Sequence, residues 1–145
     1  MWAVRQLVEA HYRPILGDPS LLDRLAVTTH ELLENAAKYG ADGLSSLHIQ
    51  LTGSPTKRLQ IEVRNPIDHQ QVPALKRYFE EMTRAADPFA FYQARMARAA
   101  KLNDGSGLGL ARISFEAEMD LSLDVDERHV SLIAVAPVSN AEATP

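Results

Sequence analysis

The feature that most constrains this chain is a change of hydrophobic period between residues 39 and 47. From Leu21 to Tyr39, residues Leu21, Leu22, Leu25, Ala26, Thr29, Leu32, Leu33, Ala36, Ala37 and Tyr39 share one broad arc at about 100° per residue. That spacing predicts a long amphipathic helix. Afterwards the period falls to two. Leu47, Ile49 and Leu51 alternate with His48, Gln50 and Thr52, and Leu59, Ile61 and Val63 alternate with Gln60, Glu62 and Arg64. Gly53-Ser54-Pro55-Thr56 supplies turn chemistry between the two runs, so a hairpin is predicted. A strand pair with one apolar face needs cover, and helices packed on that face provide it.

The rest of the chain extends this pattern. Residues 3–16 read as a helix with Val4, Leu7, Val8, Tyr12 and Ile15 or Leu16 on one side. Gly17 stops it, and Asp18 before Pro19 suits the cap of the next helix. Residues 66–104 form a long insert, predicted to hold helices over 72–85 and 88–101 broken at Asp87-Pro88. A helix is expected to open in the glycine run at 105–109 and to reach about Glu118. Strands over 119–126 and 129–136 close the chain, turning at Glu127-Arg128.

This order lacks the strict strand–helix alternation of a doubly wound parallel sheet. It predicts an α+β fold, a two-layer sandwich with helices on one face of a mixed, mainly antiparallel sheet. One domain is expected over residues 1–138, with 66–104 as a lid and 139–145 as a disordered tail.

Composition excludes several classes. With 145 residues, 46% of them hydrophobic and 23% charged, the chain has the makings of one soluble domain. The absence of cysteine removes disulfides and thiolate metal sites, and fits a reducing, cytoplasmic compartment. A net charge of -4 lacks the basic field of a nucleic-acid binder. No apolar run approaches the roughly 18 residues of a membrane span, and the charged N-terminal stretch is no signal peptide.

Two segments carry chemistry by residue type and spacing. Glycines at 105, 107 and 109 free the backbone of Cβ atoms where it turns into a helix. Such a turn can present amide N–H groups and a helix N-terminus to phosphate, although a Gly-x-Gly-x-Gly run alone is equally a flexible loop. On the long helix, Glu31, Asn35 and Lys38 stand at i, i+4 and i+7 on one polar row. A carboxamide oxygen suits Mg²⁺, an ammonium suits phosphate, and a carboxylate suits a base. The same row also reads as a solvated face with a favourable charge order.

Taken together, the segments resemble a known family. Glu31-x-x-x-Asn35-Ala36-x-Lys38-Tyr39, then a hairpin ending in Asn65, an insert, and Gly105-Ser106-Gly107-Leu108-Gly109-Leu110 opening a helix are similar to the GHKL superfamily. That superfamily includes histidine-kinase catalytic domains, anti-sigma serine kinases and gyrase-type ATPases. The resemblance covers about residues 3–136. It implies ATP and Mg held between the long helix and a mobile lid. In that scheme Asn35 ligates Mg and Glu31 is the general base. Lys38 touches phosphate, Tyr39 lies near the adenine or ribose, and the amides of Gly105, Ser106, Gly107, Leu108, Gly109 and Leu110 cradle the phosphates.

The chain departs from the family after the second strand. Asn65-Pro66-Ile67-Asp68 stands where the family has Asp-x-Gly-x-Gly, so Asn65 replaces the carboxylate that accepts the adenine N6 hydrogen bond. An uncharged acceptor there is weaker by about 1–1.5 kcal/mol, roughly tenfold in affinity. The strand that the family places upstream of the long helix is not evident. A free-standing domain of this pattern looks most like the anti-sigma serine/threonine kinase branch. That branch implies a protein partner, a sigma factor or an anti-sigma antagonist, with a homodimer left open. Two alternatives stay open: a degenerate domain that binds protein with weak or no nucleotide affinity, and the detached ATP-binding domain of a histidine kinase. His30-Glu31-Leu32 lacks the proline and dimerising hairpin of a phospho-accepting histidine box. Phe89, Phe91, Tyr92 and Met96 read either as local core of the insert or as a partner face, and Arg84, Arg95, Arg98 and Lys101 as its wetted side.

Overall fold

A computed structural model describes residues 2–39, 44–53, 57–102 and 108–138 of the chain. Helix α1 (Trp2–Leu16) ends where Gly17 adopts φ +67°, a left-handed turn that a Cβ would disfavour. The Asp18 carboxylate then accepts the Ser20 N–H at 3.0 Å, and Pro19 opens helix α2 (Pro19–Tyr39). Strands β1 (Ser46–Thr52) and β2 (Arg58–Pro66) follow, then helices α3 (Val72–Arg84), α4 (Pro88–Leu102) and α5 (Leu108–Phe115). Strands β3 (Asp120–Val125) and β4 (His129–Pro137) end the order.

The four strands form one sheet in the order β1-β2-β4-β3, and every pairing among them is antiparallel. The fold is therefore the two-layer α+β sandwich expected, with its described sheet purely antiparallel rather than mixed. Leu59, Ile61 and Val63 from β2, and Leu132, Ala134 and Ala136 from β4, point to the helical layer and are buried. Leu21, Leu25, Ala26 and Leu32 of α2 meet them. The opposite face carries His48, Gln50, Gln60, Glu62 and Asp124 on the alternate register positions.

Two details adjust the sequence reading. Ala37, expected on the buried arc, is exposed, whereas Thr28 is fully buried beside Thr29. Helix α5 stops at Phe115, short of Glu118, because the chain reverses there. Glu118 takes φ +52°, and the Arg24 guanidinium donates to the carbonyls of Ala117 at 2.6 Å and Glu118 at 2.9 Å. Those carbonyls satisfy Arg24 instead of continuing the helix.

Helix α1 is anchored from the side, where the Tyr12 hydroxyl donates to the Ile49 carbonyl at 3.2 Å. The β3–β4 turn is held by the Asp126 carboxylate, which accepts the N–H groups of Arg128 at 2.8 Å and His129 at 2.7 Å. These two bonds hold the Asp126 carboxyl below its ordinary range. The expected disordered tail at 139–145 lies outside the described residues, as does most of the 53–56 turn.

Candidate functional site

A cavity of about 310 Å³ opens where the helical layer meets the ends of β2 and β4. Asn35 reaches it from α2, Asn65 and Pro66 from the end of β2, and Leu110 from the first turn of α5. Val130 and Leu132 form its sheet wall. The insert covers it with Val72, Leu75 and Tyr78 of α3, and with Arg95 and Arg98 of α4. A concave, mainly apolar volume with a few polar groups is the ordinary form of a small-molecule site, and this one falls near the lower end of the usual size range.

The local sequence explains why these residues converge. Asn35 sits one helical turn beyond Glu31, so the buried arc of α2 turns both toward the start of α5. Asn65 belongs to the inward series Leu59, Ile61, Val63 and lies opposite Val130 in the ladder. It is 6% exposed, and its Oδ1 has no hydrogen-bond partner among the described residues. A buried acceptor without a partner is costly and uncommon, so a bound donor is the natural explanation. Asp68 also borders the cavity, but its Oδ1 accepts the Gln70 N–H at 3.0 Å in the turn that leads to α3.

The Glu31 carboxylate does not border the cavity. It lies against Gly109, close enough that a Cβ there would collide with Oε2, and Oε1 pairs with the Arg112 guanidinium at 3.3 Å. Glu31 thus faces the last glycine of the 105–109 run, while Asn35 faces the cavity. Arg112 is raised further above its ordinary value, first by a hydrogen bond with Tyr92 and then by the Glu31 charge, with burial opposing both. Gly105, Ser106 and Gly107 lie outside the described residues, as do the side chains of Lys38 and Tyr39. Leu108 begins α5.

The lid carries a group of side chains that the sequence pattern did not single out. Burial pushes the Tyr78 hydroxyl well above its ordinary range. The Arg95 guanidinium lies 4.4 Å from the Tyr78 ring centre and 5.3 Å from that of Phe91, and it pairs with Glu81. Cation–π contacts of this kind contribute about 0.5–2 kcal/mol each. Arg95 is therefore part of the lid's own packing and a wall of the cavity, rather than a wetted side chain. The signal lay in Leu75, Tyr78, Phe79 and Met82, an i, i+3, i+4, i+7 stripe on α3.

Phe91 is buried against Tyr78 with ring centres 5.2 Å apart, and Tyr92 and Phe89 pack on Phe115 at 5.1 and 5.2 Å. These aromatics are chiefly local core. Phe89 and Met96, seven residues apart on α4, nevertheless remain about half exposed. His30 pairs at 3.6 Å with Glu34, and its Nδ1 is buried without a partner among the described residues.

No group of three or more His, Cys, Asp or Glu side chains among the described residues is arranged to hold a metal. Asn35 is the cavity residue whose donor chemistry suits Mg²⁺. No described helix is long and apolar enough to cross a membrane.

No family model matches the sequence, and no curated protein matches it. Among solved structures, the fold is similar to that of a chain in the crystal structure of the SiaB–SiaC complex from Pseudomonas aeruginosa. The TM-score is 0.64 at 17% identity, over 92% of this chain and 82% of that one. At that identity the likeness is one of fold.

Proposed function

We propose that this chain is an ATP-binding regulatory domain of the GHKL type that acts on a protein partner as a serine/threonine kinase. The observation that carries the reading is convergence. Asn35, Asn65 and Leu110, chosen from three separate segments by motif, border one cavity, and the acceptor of Asn65 is buried and unpartnered in it.

The residues present fit a purine nucleotide. Val130, Leu132 and Leu75 offer apolar contact to a flat base, and Asn65 Oδ1 offers an acceptor to an exocyclic amine. Asn35 would hold Mg²⁺, and the amides of the 105–109 run, with Lys38, would hold the phosphates. Mg-ATP supplies the transferable phosphoryl group when bound. Glu31, turned toward Gly109, is the group that would take the proton of a partner's serine or threonine hydroxyl. Its pairing with Arg112 keeps the carboxylate aimed at the start of α5.

Two observations favour a protein partner. The structural neighbour belongs to a two-protein complex, and Phe89 and Met96 present apolar surface on the lid.

The test is transfer of label from γ-labelled ATP to proteins of a lysate of the source organism, by wild type and by Glu31→Gln. An acid-stable phosphoprotein that is lost by about 10²-fold or more in the variant is the expected result. Acid-labile label would favour the histidine-kinase alternative. Nucleotide binding with no transfer at all would leave the protein-binding module as the better reading.

A further inference from the structure

Resting on the nucleotide reading above, we infer that Asn65 makes this site accept either purine, so that GTP binds comparably with ATP. Asn65 is more than nine-tenths buried, borders the cavity, and leaves its Oδ1 without a partner among the described residues. It is a built recognition group rather than a surface side chain.

The inference follows from what a carboxamide can offer. Asn carries an acceptor and a donor in one plane, and rotation by half a turn about its last bond exchanges them with little change of shape. The Watson–Crick edge of adenine presents the N6 amine as donor and N1 as acceptor. That of guanine presents O6 as acceptor and N1–H as donor. In one orientation Oδ1 accepts from adenine N6 while Nδ2 donates to N1. In the other, Nδ2 donates to guanine O6 while Oδ1 accepts from N1–H. A carboxylate at the same place has acceptors alone, and would leave O6 facing a second acceptor.

Nothing beside Asn65 forces one choice. Its chain neighbour Pro66 and its ladder partner Val130 have apolar side chains, and the Asp68 carboxylate is engaged by the Gln70 N–H. The amide is free to meet the base it is given.

The test is calorimetric titration of the full chain with the Mg complexes of ATP, GTP and purine riboside triphosphate, which lacks any group at position 6. ATP and GTP are expected to bind within about tenfold of each other, and the purine riboside nucleotide about tenfold more weakly than either. In Asn65→Asp, GTP is expected to fall at least about tenfold relative to ATP, since two acceptors would then face each other unsatisfied. Thermal melting of the variant checks its fold, and the wild-type series decides without it.

ATP binding with GTP weaker by about a hundredfold or more would overturn the inference and leave the nucleotide reading intact. Equal binding of all three nucleotides would also overturn it, because position 6 would then go unread. Binding of none would remove both.

Discussion

Along α2 and the central strands, Leu25, Leu32, Leu59, Ile61 and Val63 lose all contact with solvent, whereas in α3 and α4 only Tyr78 and Phe91 are buried among the described residues. The two regions are held by different forces. The body rests on apolar burial between a helix and a four-stranded sheet, worth about 1.5–3 kcal/mol for each large side chain. The lid rests on one aromatic pair, an arginine stacked on both rings, and an ion pair with a half-exposed glutamate. Surface ion pairs contribute little, so the lid is the weaker unit. A cavity bounded by a rigid wall and a weakly held cover is suited to a ligand that orders the cover as it binds.

The largest expected effect lies in the body. Ile61→Ala removes a fully buried side chain between sheet and helices, and should cost about 2–5 kcal/mol in a denaturant titration, lowering the midpoint for the whole chain. A loss below about 1 kcal/mol would mean that the body is no better packed than the lid.

Tyr78→Ala sharpens the contrast. It should cost no more than about 2 kcal/mol globally, because the loss is bounded by the lid's own local stability. Hydrogen exchange should show the faster amides confined to α3 and α4. Acceleration throughout α2 and β2 would break the distinction between cover and wall.

The same contrast describes what the sequence revealed. The body was legible because a 3.6-residue stripe followed by period-two alternation admits few packings, and Gly17, Asp18 and Pro19 punctuate it with specific backbone chemistry. Asn35 and Asn65 were legible as types at family spacings, whereas their meeting in one cavity depends on the β2–β4 register. The lid was harder. Arg95 reads as a solvated charge from helical spacing alone, and only the approach of α4 to α3 sets it over Tyr78. The early end of α5 was hidden for a similar reason, since Arg24, far away in sequence, takes the carbonyls of Ala117 and Glu118.

The smallest expected effect falls at the β3–β4 turn, far from both lid and cavity. The Asp126 carboxyl is held below its ordinary value by two backbone N–H groups. A depressed carboxyl contributes stability above its unfolded-state value, about 4, and loses that contribution as pH falls through the folded-state value. Asp126→Asn should therefore slightly lower the melting temperature at neutral pH and flatten its fall below about pH 4, with no change in nucleotide affinity. An equal drop at all pH values would assign the turn's stability to something other than this charge.

The most direct test of the central claim is calorimetric titration of Mg-ATP into the wild-type chain and into Asn35→Ala. Micromolar binding by the wild type, weakened at least about tenfold by a substitution that removes only the Asn35 carboxamide from the cavity wall, is the expected result. Absence of binding up to millimolar Mg-ATP, or equal affinity in the two proteins, would contradict the assignment of this cavity to a nucleotide.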